Sequence, residues 1–221
     1  MKLNVIKAGV LCLALAVFNS CLGVSAAVTV KADGSGKIEL EYRVSQALES
    51  LGRLDGNESR PAVPVGRTDF ERTAARIPGL TLSKYVSKSV RNGSGGSDLV
   101  TNVTLDFKDL NSLAAFLDGS GVRAALVEEN GSGKLLRLSL LEPSDSVTDP
   151  DLLALLREIS AGYDFTVSFN LPGKASVTTI PAPIPAAKLE AKGKKASFSI
   201  GTGELLGLKE GLAVEIGWQN N

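Results

Sequence analysis

Apolar and polar residues alternate with a period of two in six stretches of the chain. Val28, Val30 and Ala32 alternate with Thr29, Lys31 and Asp33, and Ile38, Leu40, Tyr42 and Val44 alternate with Lys37, Glu39, Glu41 and Arg43. Leu99, Thr101, Val103, Leu105 and Phe107 form a third such face, and Tyr163, Phe165, Val167, Phe169 and Leu171 a fourth. Ala196–Ile200 and Leu212–Trp218 repeat the pattern near the C-terminus. A strand turns successive side chains to opposite faces, so each stretch predicts a strand with one apolar and one wet face. That is the habit of antiparallel sheets, since the strands of doubly wound parallel sheets are apolar on both sides. In this register Phe165 and Phe169 are both core residues.

Turn and helix signals fall between these stretches. Asp33-Gly34-Ser35-Gly36, Asn92-Gly93-Ser94-Gly95-Gly96, Asn130-Gly131-Ser132-Gly133 and, more weakly, Lys192-Gly193-Lys194 supply the residues that tolerate the positive φ angles of hairpin turns. None leads into the Lys-Ser/Thr of a phosphate-binding loop or lies between a strand and a helix, so they read as turns. Thr68-Asp69-Phe70-Glu71 resembles a capping box, with Phe70, Ala74 and Ile77 on one helical face before Pro78-Gly79. Leu110, Leu113, Ala114 and Leu117 predict a second helix. Asp149-Pro150 opens a third that buries Leu152, Leu155, Leu156 and Ile159. Ser45–Leu51 and Thr202–Leu208 are shorter candidates, and the proline-bearing stretches Asp55–Gly66 and Pro172–Pro185 interrupt the rhythm, the second as a surface crossover. Hairpin followed by helix predicts one α+β domain over residues 28–218: an antiparallel sheet of hairpins with several short helices packed on one face.

The start of the chain follows a different rule. Lys2 and Lys7 precede an unbroken apolar run, Ala8–Phe18. A basic start and a run this short make a secretory signal, because a bilayer span needs about 20 apolar residues. Two cleavage points compete. Val24-Ser25-Ala26 suits ordinary signal peptidase acting before Ala27, which makes residues 1–26 the signal. Phe18-Asn19-Ser20-Cys21 resembles a bacterial lipobox, which makes residues 1–20 the signal, Cys21 the acylated first residue, and residues 21–27 a tether. Cys12 and Cys21 are the only cysteines, and Cys12 is lost with the signal, so no disulfide is expected between them. A lone cysteine just after the apolar run fits acylation, and hence a membrane anchor carrying palmitate-type chains.

Composition narrows the chemistry further. Of 221 residues, 43% are hydrophobic and 22% charged, enough to build a core without metal or disulfide staples. The exported part carries 22 basic against 24 acidic residues, a balance that gives no reason to expect nucleic acid. There is no histidine, which removes the commonest general base and most zinc and haem sites. No metal site and no cofactor are therefore expected. The nearest acid pairs, Asp69 with Glu71, Asp106 with Asp109, and Asp149 with Asp151, sit at predicted helix starts, where capping accounts for them. Asp145, Asp149 and Asp151 lack the spacing of an EF-hand. No residue is assigned a catalytic role, and Trp218 reads as a seal on the apolar face of the sheet.

Ser20-Cys21, the strand pair Val28–Val44 with Asp33-Gly34-Ser35-Gly36 at its turn, and the closing strand Leu212–Trp218 resemble in layout the exported, often lipidated bacterial proteins grouped around the LppM-type domain. The resemblance spans most of the exported part. It implies an α+β domain in the bacterial cell envelope, attached to the membrane through its N-terminus and in contact with lipids or glycolipids. Many members carry a C-terminal transmembrane helix, and no apolar run of that length precedes Asn221. Two functions follow as expectations. One is a non-catalytic envelope lipoprotein that takes a hydrophobic ligand in a seam lined by Leu110, Leu113, Leu117, Leu152, Leu155, Leu156 and Ile159; the other is a structural or assembly component that contacts other envelope proteins.

Overall fold

The turn at Asp33–Ser35 joins two antiparallel strands, β1 (Leu22–Val30) and β2 (Gly36–Ser45), in the computed structural model, which describes residues 22–45, 66–91, 96–119, 123–127, 133–141 and 149–219. Gly34 takes φ +83°, and the Asp33 carboxylate accepts hydrogen bonds from the Ser35 N–H (3.0 Å) and hydroxyl (2.8 Å). Helix α1 (Arg67–Arg76) and the long strands β3 (Leu80–Arg91) and β4 (Ser97–Phe107) follow. Helix α2 (Leu110–Gly119) leads to β5 (Arg123–Val127) and β6 (Gly133–Leu141). The remaining elements are α3 (Pro150–Ile159), β7 (Asp164–Asn170), β8 (Ala175–Ile180), β9 (Lys188–Lys192), β10 (Lys195–Gly201), α4 (Thr202–Leu206) and β11 (Leu212–Gln219).

The strands form two sheets. The larger has the order β3-β4-β2-β1-β7-β10-β9 and the smaller β5-β6-β11-β8. The strands on either side of each of the four expected turn segments pair antiparallel (β1–β2, β3–β4, β5–β6 and β9–β10), and residues 92–95 and 130–132 themselves lie outside the described residues. Strand pairing aligns Val28 with Ile38 and Phe169, Ile38 with Leu105, and Phe198 with Val167. One face of the large sheet is therefore apolar across its middle. The other carries Lys37, Glu39, Glu41 and Arg43 on β2 and short hydroxyl residues on β7 and β10.

Four expectations are corrected here. First, the apolar face of the large sheet is not covered by helices alone. Leu136, Leu138, Val214, Ile216 and Trp218 of the small sheet share one buried core with it, and α1 and α2 add to that core. Phe70 of α1 lies between the rings of Tyr42 (6.0 Å) and Tyr85 (6.1 Å), while α2 contributes Leu110, Leu113, Phe116 and Leu117. Second, one pairing is parallel: β1 with β7. Third, the Pro172–Pro185 crossover contains β8, which is hydrogen-bonded into the small sheet. Fourth, residues 22–27 are not a tether. They form the first part of β1, paired with β2 throughout and, from Val24 on, with β7 as well. The alternation that begins at Val28 already runs through Val24 and Ala26, and the small residues Gly23, Ser25 and Ala27, which resemble a linker in sequence, occupy the opposite face of the strand.

Candidate functional site

The expected anchor, Cys21, lies outside the described residues, but the chain next to it is well placed. Leu22 pairs with Val44 of β2, and Val24 with Phe165 of β7. Gly23 leaves room for Tyr163: a Cβ there would sit 3.3 Å from the ring. Tyr163 then reaches across β2, and its hydroxyl donates to Asp98 Oδ1 on β4 at 3.2 Å. Asp98 is buried, and this brace ties the segment between α3 and β7 to the start of β4.

The leucines expected to line a ligand seam do not converge. Leu110, Leu113 and Leu117 are buried in the core between the sheets, whereas α3 packs on α4. Leu156 is buried, Leu152 is half-buried and Leu155 is exposed. The side chain of Ile159 lies outside the description. Large side chains occupy the inter-sheet space: Phe116, Phe169, Phe198, Leu113, Leu136 and Leu138 are all fully buried. Trp218 is buried in the same core. Among the described residues one buried side-chain oxygen lacks a hydrogen-bond partner, Thr179 Oγ1 on the inner face of β8.

The acid pairs are scattered, and each has a structural use. Asp149 accepts from the N–H groups of Asp151 (2.9 Å) and Leu152 (3.1 Å), capping α3. Asp69 accepts from the Gly66 N–H at 3.3 Å, so α1 is capped two residues earlier than the Thr68 pattern predicts. Glu71 pairs with Arg67 in the open, and Asp106 accepts from the Ser83 hydroxyl. Among the described residues no three His, Cys, Asp or Glu side chains gather as a metal site would require. Asp145 lies outside the described residues.

Asp109, though exposed, makes the most extensive hydrogen-bond contacts of these acids. It accepts from the Ser112 N–H at 2.8 Å, and the Ser112 hydroxyl lies 2.9 Å from it and 2.7 Å from the Pro78 carbonyl. The start of α2 is thereby tied to the turn that ends α1. Gly79, at φ +81°, completes that turn, and a Cβ there would press on the same hydroxyl at 2.8 Å. Hydrogen bonds from the Ser112 N–H and then its hydroxyl hold the Asp109 pKa below the ordinary 3.8. A pKa lower in the folded chain than in the unfolded one stabilises the fold above the unfolded value and is lost as pH falls through the folded one. Asp109→Ala should therefore cost about 1 kcal/mol at neutral pH. The gap between the two urea midpoints should close as pH drops below 3.8. An equal gap at every pH would show that the carboxylate does not make this cap.

No protein-family model matches the chain. No curated protein matches it either. Among solved structures, the folded domain of LppM from Mycobacterium tuberculosis, determined by NMR, is 14% identical; 90% of this chain and 91% of that one are covered, with a TM-score of 0.45. AChBP from Bulinus truncatus is 12% identical over 91% of this chain and 88% of that chain, with a TM-score of 0.19. The first falls in the group that the sequence resembles. Both TM-scores are too low to establish a common fold. Among the described residues no helix is long and apolar enough to cross a membrane.

Proposed function

We propose that the chain is a non-catalytic protein of the bacterial cell envelope, exported by its N-terminal signal, held on the membrane by a lipid on Cys21, and acting as a structural or assembly component. The observation that carries this reading is the start of β1 at Leu22. Of the two cleavage points, the one before Ala27 removes Leu22–Ala26 from a strand paired on both sides. The one before Cys21 keeps every residue of β1. An intact β1 favours processing upstream of Leu22, where Cys21 is the acceptor that the sequence provides.

The hydrophobic-ligand reading has weaker support, because its proposed lining is divided between the packed core and the α3–α4 pair. Attachment is testable in a host that processes lipoproteins. The full chain should incorporate labelled palmitate and fractionate with membranes, and Cys21→Ala should abolish both. Unchanged labelling of the variant, or a mature N-terminus at Ala27, would end the proposal.

A further inference from the structure

The geometry points to the end of the domain where β1 begins as a docking surface for an anionic bilayer. This rests on the proposed anchorage at Cys21 in one respect, the distance available. An extended residue spans at most about 3.6 Å. A lipid on Cys21 leaves no spacer before Leu22, the first residue of β1, so this end of the sheet meets the headgroups directly.

Strand directions define what else lies there. β2 finishes at this end at Ser45, β3 at Arg91, β4 starts at Ser97 and β7 at Asp164. Among the described residues β3 lies at one edge of the large sheet, and its residues 84–91, running from mid-sheet down to this end, include Lys84, Lys88 and Arg91 without a single acid. On one face of that ribbon Val86 and Val90 alternate with the lysines and are 42% and 39% exposed. Leu155, on the helix that leads into β7, is 51% exposed, more than any other large apolar side chain described. The β3 ribbon thus interleaves apolar side chains with cations, which is what an interfacial surface needs: the first enter the headgroup boundary and the second meet anionic phosphates. The opposite end also has lysines, at Lys192, Lys194 and Lys195, where the one exposed large apolar side chain of β9, Leu189, lies three residues back from the end and level with Phe198.

The test supplies its own tether, so it is independent of acylation. The chain from residue 21, carrying Cys21→Ser and an N-terminal histidine tag, has no thiol and can be held on phosphatidylglycerol–phosphatidylcholine vesicles containing a nickel-chelating lipid. Single substitutions Val90→Cys, Leu155→Cys and Lys194→Cys then place an environment-sensitive fluorophore. Emission at 90 and 155 should shift to the blue and be quenched by spin-labelled lipid, while 194 stays in water. In the untagged chain, Lys84→Glu with Lys88→Glu should leave the melting temperature unchanged. It should weaken co-sedimentation with phosphatidylglycerol vesicles at low salt by roughly 25-fold, since each cation near such a surface is worth about five-fold. The proposal is overturned if 90 and 155 remain in water, or if 194 shifts equally. It is also overturned if the shift at 90 and 155 appears without vesicles as protein concentration rises, which would assign the surface to a second copy. Loss of palmitate labelling in the full chain would instead count against the anchor alone.

Discussion

Phe169→Ala should lower the unfolding free energy by about 3–5 kcal/mol, read from urea or thermal melts. Phe169 is buried on β7, level with Val28 of β1 on one side and Ala196 of β10 on the other. Three strands meet at that row, so truncation leaves a void that the small Ala196 cannot fill, and rigid neighbours on both sides prevent collapse. The sequence places Phe165 in the core as well, but it is only half-buried, near the end of the sheet, with its ring 6.3 Å from that of Phe198. Phe165→Ala should accordingly cost less, about 2 kcal/mol. The ordering of the two losses is the informative result. A slip of one residue between β1 and β7 would turn Phe169 outward and Ser168 inward. A Phe169→Ala loss below about 1 kcal/mol would therefore mean that the register is wrong.

The strands legible in the sequence are those with one apolar and one wet face, and the unread ones break that rule for identifiable reasons. In β3 a bulge between Leu82 and Lys84 inserts Ser83, so the inward series jumps from Leu82 to Tyr85 and the period of two is lost. Beyond Tyr85 both faces of β3 are exposed, and exposed strands leave no hydrophobic pattern. β9 is exposed along its whole length for the same reason. β6 carries leucine on both faces, Leu136 and Leu138 inward with Leu135 and Leu140 half-buried, which blurs the alternation. β8 turns Thr179 towards the core, a polar residue where the pattern demands an apolar one.

Pairing order is a different kind of information. Local patterns specified the four hairpins through their turn residues, because a hairpin is decided within a few residues. The parallel contact of β1 with β7 joins segments about 140 residues apart in the chain, such as Ala26 and Val167. No local pattern encodes that contact. The same holds for the second sheet, whose apolar face has no signature that distinguishes packing on a sheet from packing on helices. The candidate site was legible only as an address. Cys21 follows from its place after the apolar run, but the Tyr163–Asp98 brace and the need for Gly23 arise from three distant segments and appear only once they are folded together.

A chain that begins at Ala27 should fail to fold, whereas one that begins at Leu22 should fold cooperatively. Starting at Ala27 deletes the partners of Leu40–Val44 on β2 and of Phe165–Val167 on β7. It therefore opens a slot in the middle of the seven-stranded sheet rather than trimming an edge. Val24 and the buried Ala26 leave the core, and Leu40, Tyr42 and Val167 lose their neighbour. Backbone groups of both flanking strands lose their ladder partners at a typical net loss of about 0.5–1.5 kcal/mol per hydrogen bond. Several such bonds together with the lost apolar packing amount to roughly 5 kcal/mol or more, comparable with the whole stability of many domains, about 5–15 kcal/mol. Circular dichroism melts and limited proteolysis of the two chains, expressed without the signal, give the comparison directly. A sharp melt for the Ala27 chain within a few degrees of the Leu22 chain would show that the first part of β1 is dispensable, and the case for processing upstream of Leu22 would go with it. A broad or absent melt for that chain alone would mean that cleavage before Ala27 yields a product that cannot keep its sheet closed, which leaves Cys21 as the first residue compatible with both export and fold.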